Sequence, residues 1–173
     1  DDSHVNYSRK ALVKLVLKTD VKSFVKNFNA LMSYVSDSAI EAALPYINKA
    51  ELVNKNTAAF KTLVLGLGND VLMSLVDEEA VLDLFTDAEK ESLVDGDVVN
   101  EEALKAQLKG KLQTLDPAQL VACLVKAADG VTVDYATVVK TVGVKKAVTA
   151  IGGYNTLINN YVTNFNAVLE LAD

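Results

Sequence analysis

The sequence predicts an all-α protein: a single compact domain of about nine to eleven mostly short helices that cross at varied angles and do not form a simple four-helix bundle. Apolar residues recur at the three- and four-residue spacing of amphipathic helices along almost the whole chain. Capping residues and glycines divide that pattern into short pieces. No stretch keeps the alternation of apolar and polar residues typical of half-buried strands, and no period of about 20 to 50 residues indicates a solenoid.

The first clear helix is amphipathic and is predicted to reach residue 35. Its apolar stripe consists of Val21, Phe24, Val25, Phe28, Leu31, Met32 and Val35. The next helix is predicted to begin at Ser38, because Ser38 and Glu41 have the spacing of a capping box. Pro45 is expected to kink or end that helix, since proline lacks the amide hydrogen that a helix interior requires.

Helix boundaries in the middle of the chain are predicted from caps and glycines. Threonine, asparagine and aspartate side chains accept hydrogen bonds from the free amides of a first helical turn, and glycine is favoured where a helix ends. The predicted caps are Thr86, Asn100, Asp116 and Asp134, and the predicted ends are Gly66, Gly68, Gly130 and Gly143. The valine-rich stretches 97–99 and 131–133 are too short for a sheet, although each can form one extended pairing.

The last helix is predicted to be long and continuous after a break at Gly152 and Gly153. Its apolar residues keep helical spacing over about four turns. They are Tyr154, Leu157, Ile158, Tyr161, Val162, Phe165, Val168 and Leu169. Asparagines take the opposite face, so this helix is expected to bury one side against the rest of the domain.

Length and composition bound the organisation of the chain. The 173 residues suffice for one domain, or for two small lobes that share a core. The prediction is a mobile end at 1–7 and one helical domain at 8–173, with 8–85 and 86–173 as its sub-lobes. No apolar run reaches the ~18–20 residues that span a bilayer, so the chain is not predicted to cross a membrane.

Few side chains in the sequence can carry out chemistry. It contains one histidine (His4), one cysteine (Cys123) and no tryptophan. This leaves little room for a Ser/His/Asp or Cys/His arrangement or a histidine-based zinc site, and no phosphate-binding loop or dinucleotide motif is present. Cys123 lies in an apolar helical stretch, where a cysteine is expected to be buried and unreactive. The sequence therefore predicts a non-enzymatic protein with no catalytic residues, no cofactor and no metal.

Charge is distributed unevenly along the chain. The net charge is −6, yet the acidic segment, 77–102, contains eleven acidic residues and one lysine and so carries −10. Basic residues form a lysine row near the N-terminus, namely Lys10, Lys14, Lys18, Lys22 and Lys26. An acidic chain without an aromatic-rich basic patch is not expected to bind nucleic acid. Both are interpreted first as solvated faces. The alternative for the lysine row is contact with an anionic surface or a ligand head group, and for the acidic segment a partner-facing surface that binds the lysine row of another copy.

Two Asp-Gly sequences resemble the second half of a calcium-binding EF-hand loop. Gly96 would take the sixth position and Glu102 the twelfth, and a second Asp-Gly sequence follows 34 residues later at Gly130. The first half of each loop lacks oxygen ligands, since Leu93, for example, falls at a ligand position. Ordinary turns before capped helices are the favoured interpretation, and an EF-hand-like pair, metal-free or calcium-binding, is the alternative.

Three functions remain after these exclusions. The favoured one is a carrier of a hydrophobic small molecule, a fatty acid or other lipid, in an internal apolar cavity, because an apolar excess accompanies the missing chemistry. Its candidate ligand-binding residues are Phe24, Phe28, Tyr154, Tyr161 and Phe165, with a lysine or tyrosine at the mouth for the polar end of the ligand. The second is a protein interaction or structural module that uses the acidic segment and the lysine row, and self-association belongs to this class. The third is a degenerate EF-hand-like protein.

An extracellular location is predicted from the first residues. The chain begins at Asp1 without methionine, as a secreted protein does after removal of its signal peptide, and as a trimmed chain also does. Asn6, Tyr7 and Ser8 form a glycosylation sequon, which suits secretion. A lone cysteine cannot form an intramolecular disulfide, so it gives no evidence for an oxidising compartment.

Overall fold

The computed structural model of the protein describes residues 37–170. Within them lie twelve α-helices, one 3-10 helix and one sheet of two short strands, which confirms the predicted all-α class. In chain order the elements are α1 (Asp37–Ala42), the 3-10 helix (Leu44–Tyr46), α2 (Lys49–Asn54), α3 (Thr57–Leu65), α4 (Asn69–Leu75), α5 (Glu78–Leu82), α6 (Asp87–Lys90), β1 (Val94–Asp95), β2 (Val98–Val99), α7 (Glu101–Gln113), α8 (Pro117–Ala122), α9 (Tyr135–Val142), α10 (Val144–Ala150), α11 (Tyr154–Tyr161) and α12 (Phe165–Glu170).

The helices are shorter and more numerous than the sequence predicts. Those described range from 4 to 13 residues, and residues 37–170 alone hold more of them than was expected for the whole chain. Several boundaries are single residues with extended geometry: Val76 ends α4 with φ −97° and ψ 153°. An apolar stripe continues across such a residue, so periodicity does not detect it. None of the helices within 37–170 has the length and apolar character needed to cross a membrane.

The described chain divides into two compact units. The first contains 37–52 and 144–170, and the second is Val53–Gly143. The first unit therefore joins two distant parts of the sequence, whereas the second is continuous. Residues 85 and 86, the predicted limit between sub-lobes, both fall in the second unit. The predicted mobile end, the stripe from Val21 to Val35 and the lysine row lie outside the described residues.

The first unit is built around α10, which packs against α1 and α11, while α12 packs against the 3-10 helix. Pro45 lies in the first turn of the 3-10 helix, and α1 ends at Ala42, as predicted for a proline at this position. The buried apolar side chains of this unit are Ile40, Ala43, Leu44, Ile47, Leu52, Val144, Ala147, Val148, Tyr154, Leu157 and Tyr161. Helices of six to eight residues thus reach a common core from both ends of the described chain.

The predicted long C-terminal helix is in fact two helices. α11 ends at Tyr161 and α12 begins at Phe165. Between them Val162 is extended, with ψ 125°, and pairs antiparallel with Ile47. The prediction of one continuous helix is wrong because this pairing with a distant segment replaces the helical hydrogen bonds at the break, and apolar spacing does not encode it.

The second unit has an apolar core shared by helices that are distant in sequence. α3 packs against α7 and α8, and α4 packs against α7 and α9. In α7, Leu104, Leu108 and Leu112 recur every four residues, so one face of the helix is apolar and buried. Phe60 is fully buried as well, as expected for an aromatic residue within an apolar stripe. Among the described residues no polar or charged residue is buried, and no buried polar side-chain atom lacks a partner.

Two of the short extended pairings in the second unit involve the stretches 97–99 and 131–133. β1 pairs antiparallel with β2, and Lys126 pairs antiparallel with Val133. The stretches 97–99 and 131–133 therefore each contribute one extended pairing, as predicted. Each pairing stands directly before a capped helix, α7 in the first case and α9 in the second.

Most of the predicted caps are present. The side chains of Thr86, Asn100 and Asp134 accept hydrogen bonds from backbone amides in the first turns of α6, α7 and α9. Pro117 is the first residue of α8, directly after Asp116. The predicted ends at Gly66, Gly143 and Gly152 are also observed.

Three predicted boundaries differ from the structure. Gly68 does not end a helix but is the residue directly before α4. Ser38 is the second residue of α1, which begins at Asp37, so Ser38 does not precede the helix as a cap. Gly130, with φ +71°, lies in a hairpin turn and not at the end of a helix. Glycine is favoured both in hairpin turns and at helix ends, because each can require a positive φ. The sequence therefore does not distinguish the two.

Candidate functional site

Two of the predicted ligand-binding residues lie together in the first unit. Tyr154, Leu157 and Tyr161 lie on one face of α11, because residues three and four apart share a helix face. All three are buried, with exposed fractions of 9% for Tyr154 and 7% for Tyr161. These three residues are called the tyrosine stripe below. Their burial places two phenol groups at an otherwise apolar core.

The other predicted ligand-binding residues do not continue this stripe. Phe165 is the first residue of α12 and is half-buried, beyond the break that follows Tyr161. Asn164 caps α12, because its Oδ1 accepts a hydrogen bond from the Ala167 N–H at 3.1 Å. Phe24 and Phe28 lie outside the described residues.

Backbone geometry fixes both ends of the tyrosine stripe. At its C-terminal end the Asn48 N–H donates to the Tyr161 carbonyl at 2.7 Å. The Thr163 N–H and hydroxyl both donate to the Tyr46 carbonyl, at 2.7 and 3.0 Å. At its N-terminal end α11 follows Gly153, whose φ of +103° favours glycine. Hydrogen bonds to a segment more than a hundred residues earlier in the sequence therefore anchor the backbone at the C-terminal end of α11.

A lysine that the sequence did not single out lies in the same unit. Lys49 Nζ donates to the carbonyl of Leu44 at 2.8 Å and to that of Ile47 at 3.3 Å. Its side chain is half-buried beside the 3-10 helix. Carbonyls at the end of a helical turn carry partial negative charge, which the ammonium group offsets. No spacing rule in the sequence indicates this lysine, because its partners are backbone atoms.

The acidic segment is a solvent-exposed surface of the second unit. Nine of its eleven acidic residues are exposed, and Asp77 and Glu89 are half-buried. Asp77 caps α5, while Glu89 and Glu102 form ion pairs with Lys111 and Lys105. Besides Asp77, eight acidic residues, all exposed, form no ion pair with a described residue, namely Glu78, Glu79, Asp83, Asp87, Glu91, Asp95, Asp97 and Glu101. With fifteen acidic residues against eight lysines, the second unit has a net charge of −7.

Glu89 makes more interactions than the other acidic residues of the segment. Its Oε1 accepts a hydrogen bond from the Thr86 N–H at 3.0 Å, and Lys111 Nζ lies 2.9 and 3.1 Å from its two carboxylate oxygens. Lys111 Nζ also lies 5.0 Å from the centroid of the Phe85 ring, within cation–π range. The Thr86 amide first, and Lys111 second, hold the pKa of Glu89 below its ordinary value. The group ties α6 to α7.

Lys105 is shared by two carboxylates. Its Nζ lies 2.6 Å from Asp70 Oδ1 and 2.9 Å from Glu102 Oε1. The hydrogen bond to Asp70, followed by that to Glu102, raises the pKa of Lys105. The cation therefore stays charged across the physiological pH range and links the start of α4 to the start of α7.

The two Asp-Gly sequences form different hairpin turns. Between β1 and β2, Gly96 has φ +63° and Asp97 does not have a positive φ, which fits a two-residue type II′ turn. In the second hairpin Asp129 accepts hydrogen bonds from the Val131 N–H at 2.9 Å and from the Thr132 N–H at 2.8 Å. The Thr132 hydroxyl donates to the same carboxylate at 2.6 Å. These bonds, led by that hydroxyl, lower the pKa of Asp129.

The side chains at the EF-hand positions have other interactions. Leu93 is fully buried, and Glu102, at the twelfth position, forms an ion pair with Lys105. Asp129 is bonded to its own turn. Within 37–170 no group of three or more histidine, cysteine, aspartate or glutamate side chains is placed to hold a metal ion. These contacts favour ordinary turns before capped helices over a calcium loop.

Cys123 is buried, which confirms the expectation from its apolar neighbours. Burial raises the pKa of its thiol, an effect that Lys126 opposes and Asp77 reinforces. Reactive cysteines have lowered thiol pKa values, so this residue has the environment of a structural one.

No family model, curated protein or solved structure matches this chain. The functional interpretation therefore depends on the tyrosine stripe in the first unit and the acidic segment in the second.

Proposed function

We propose that this protein is a non-catalytic carrier of a hydrophobic small molecule with a polar end, a fatty acid or other lipid, and that its first unit binds this ligand. The observation that carries the proposal is the burial of two tyrosine rings on one face of α11. A tyrosine presents an apolar ring to a hydrocarbon chain and a hydroxyl to a polar head group. Sites for such ligands combine a mostly apolar lining with a few placed polar groups.

The first unit supplies both kinds of group. α10 packs against α11 and buries Val144, Ala147 and Val148. Lys49 supplies a half-buried positive charge in the same unit, bonded only to uncharged carbonyls in the contacts described above. A carboxylate would form a shorter and stronger bond to this ammonium group than a carbonyl does. An anionic head group is therefore favoured over a neutral one.

The first test is native mass spectrometry of the full chain after gentle purification. A bound lipid is expected as a discrete mass increment that disappears on denaturation. A fluorescent fatty-acid analogue would then be titrated into the stripped protein. The chain has no tryptophan, so the probe is read without tryptophan fluorescence as background.

Single substitutions locate the site. Tyr161→Phe keeps the ring and removes the hydroxyl, and is expected to weaken probe binding by about 0.5–1.5 kcal/mol, the usual net value of one hydrogen bond. Lys49→Gln is expected to weaken binding of an anionic probe more than that of its methyl ester. The matched control is Tyr135→Phe, because Tyr135 belongs to the second unit, where its hydroxyl accepts a hydrogen bond from Asn54 at 2.9 Å.

Two results would overturn the proposal. One is a folded protein that carries no lipid and excludes the fluorescent probe. The other is equal loss of binding in Tyr161→Phe and Tyr135→Phe, which would place the probe elsewhere or show unspecific adsorption.

The acidic segment favours a second candidate, docking of a basic protein surface on the second unit. Eight exposed carboxylates lack an ion pair among the described residues, and Val98, 70% exposed, lies between them at the β1–β2 hairpin. An exposed aliphatic side chain ringed by charge suits the centre and rim of a protein contact. The lysine row of another copy is one basic surface of this kind.

Sedimentation of the full chain at low and high salt tests this candidate. Association through these charges is expected to weaken as the screening length falls toward ~8 Å at physiological ionic strength. The variant Asp95→Ser with Asp97→Ser should reduce it, whereas the control Asp129→Ser, outside the acidic segment, should not. A monomer at all salt concentrations would remove self-association.

A further inference from the structure

The chain contains two Asp-Gly pairs, Asp95-Gly96 and Asp129-Gly130, both in exposed hairpin turns. An aspartate side chain can react with the backbone nitrogen of the next residue to form a five-membered ring. Glycine favours this reaction, because it has no side chain to hinder the approach and its backbone is the most adaptable. The two pairs are identical in sequence, so any difference between them arises from their surroundings.

The carboxyl groups of the two pairs differ in their hydrogen bonds. Asp95 is exposed, and its carboxylate forms no ion pair or side-chain hydrogen bond with a described residue. Asp129 accepts three hydrogen bonds, at 2.9 Å from Val131 and at 2.8 and 2.6 Å from Thr132. The Asp129 carboxylate must give up these bonds before its carbon can reach the Gly130 nitrogen, whereas the Asp95 carboxylate has no such bond to a described residue.

The backbone nitrogens of Gly96 and Gly130, which would attack these carboxyl groups, also differ in their hydrogen bonds. The Gly130 N–H donates to the Ala127 carbonyl at 2.9 Å. The Gly96 N–H donates to no residue that the structure describes, because it occupies the first central position of a two-residue hairpin turn. In the second hairpin both reacting groups form hydrogen bonds, whereas in the first neither forms one with a described residue.

We propose that Asp95 is a site of spontaneous backbone modification, at which the Asp95-Gly96 bond isomerises to a β-linked isoaspartyl bond, and that Asp129-Gly130 is protected from the same reaction. The Gly96 nitrogen forms a bond to Asp95 Cγ, and the carboxyl hydroxyl leaves as water with the amide proton, which gives a succinimide. Water then adds at the α-carbonyl carbon and breaks the original peptide bond. One water is lost and one is gained, so the product has an unchanged mass.

The lowered pKa of Asp129 also slows the reaction at the Asp129-Gly130 bond. A carboxyl group loses hydroxyl as water more readily from its neutral form than from its anion. The Thr132 hydroxyl and the two backbone amides stabilise the anion of Asp129 and so reduce its neutral fraction.

Isomerisation at Asp95 lengthens the main chain by one methylene group at the tightest part of the hairpin. A type II′ turn has two central residues, and an extra backbone atom no longer matches the twist of the strands that it joins. The pairing of Val94 with Val99 is expected to weaken. The modification would thus alter the surface of the acidic segment with age, independently of what the protein binds.

The test is incubation of the full chain in its folded state, at mildly acidic and neutral pH, followed by digestion and detection of isoaspartate. Methyl transfer by an isoaspartyl methyltransferase counts the modified bonds, and electron-transfer fragmentation locates them. Isoaspartate is expected to accumulate at Asp95 at least about tenfold faster than at Asp129, because one hydrogen bond to a charged group is worth roughly that factor. In concentrated denaturant the two rates should converge.

Two variants separate the causes. Asp95→Glu should abolish the signal at this position, because a glutamate would need to form a larger ring. Thr132→Val removes the hydroxyl donor at nearly constant volume and should raise the rate at Asp129. Equal rates at the two positions in the folded chain, faster reaction at Asp129, or a difference that persists in denaturant would each overturn the proposal.

Discussion

Glu89 combines a helix cap, an ion pair and a link between two helices in one side chain. Its carboxylate accepts a hydrogen bond from the Thr86 amide and forms an ion pair with Lys111, and the ion pair requires the charged form. The pKa of Glu89 is lowered, so its contribution to stability is fully present above the ordinary value of 4.5 and is lost as the pH falls through the lowered value. This residue is expected to contribute to acid sensitivity of the second unit.

The first prediction concerns Glu89→Gln. Glutamine can still accept the Thr86 amide bond but carries no charge for Lys111. The melting temperature of the variant should be lower than that of the wild type at neutral pH, and the two should approach each other at acidic pH. Circular dichroism melts across a pH series measure this. Glu91→Gln is the control, because Glu91 is exposed and forms no ion pair with a described residue, and its melts should follow the wild type. A constant difference at all pH values would show that the charge is not responsible.

The second prediction concerns Cys123. Its thiol is buried and burial raises its pKa, so little thiolate is available in the folded state. A thiol reagent should react at least about a hundredfold more slowly with the native chain than with the denatured one, since opening of a core costs several kcal/mol and each 1.4 kcal/mol is a factor of ten. Absorbance of the released chromophore follows the reaction. Complete labelling of the native protein within the mixing time would contradict the observed burial.

Single residues were predictable from the sequence where the controlling interaction is local. The capping side chains accept hydrogen bonds from backbone amides within three residues, so the sequence identifies them. They are Asn100, Asp134 and Thr86, the last in a capping box with Glu89. Lys49 was not predictable, because it binds carbonyls whose positions depend on how the chain turns after Pro45. Tyr161 was predicted as a buried residue, but its backbone bond to Asn48 was not.

At the scale of an element, the same substitution should have opposite effects at two glycines. Gly110 lies inside α7 with helical geometry, and Gly130 lies in a turn at φ +71°; an added Cβ meets nothing within 4 Å at either position. Neither added Cβ would clash with a neighbour. The backbone conformation alone therefore decides whether the substitution raises or lowers the free energy of unfolding.

The third prediction is that Gly110→Ala stabilises the protein by roughly 0.5–1 kcal/mol, while Gly130→Ala destabilises it by about 1–2 kcal/mol. Alanine loses less backbone freedom than glycine in a helix, whereas a left-handed conformation places its Cβ near a carbonyl oxygen. Urea unfolding of both variants beside the wild type gives the two values. A loss of stability on Gly110→Ala would mean that α7 packs on a neighbour at this position.

Elements were predictable where apolar spacing and a terminal signal agree. α7 shows this, with leucines every four residues behind Asn100. The division between α11 and α12 was not predictable, because the apolar residues keep their spacing through Val162 although the backbone leaves the helix there. The candidate site is affected in the same way, since Tyr154 and Tyr161 share one helix and Phe165 belongs to the next. A contact between segments that are distant in sequence overrides a local pattern, and no local pattern records it.

At the scale of the molecule, the second unit has what an independent domain needs. Its chain is continuous, and its core residues, most of which belong to α3, α4, α7, α8 and α9, all lie within Val53–Gly143. The fourth prediction is that the fragment 49–143, which keeps α2 whole, folds alone. Far-ultraviolet circular dichroism should show a helical spectrum and a cooperative thermal transition.

The charge of this unit sets how the fragment should respond to salt. Its net charge of −7 is concentrated in the acidic segment, and repulsion among like charges opposes compaction. Moderate salt is expected to raise its melting temperature by screening this repulsion. A disordered spectrum at every salt concentration would show that the unit depends on other parts of the chain.

The discontinuity of the first unit has a consequence for the order of events during translation. A ribosome releases the chain from its N-terminus at about 5–20 residues per second, and domains fold as they emerge. Residues 37–52 leave the exit tunnel early but must wait for α10 and α11, which are made after the whole second unit. The second unit can thus fold first, and Ile47 can pair with Val162 only after the whole second unit has been made. Until then the apolar side chains around the 3-10 helix stay uncovered by their native partners, which is the period when a chaperone would have most to protect.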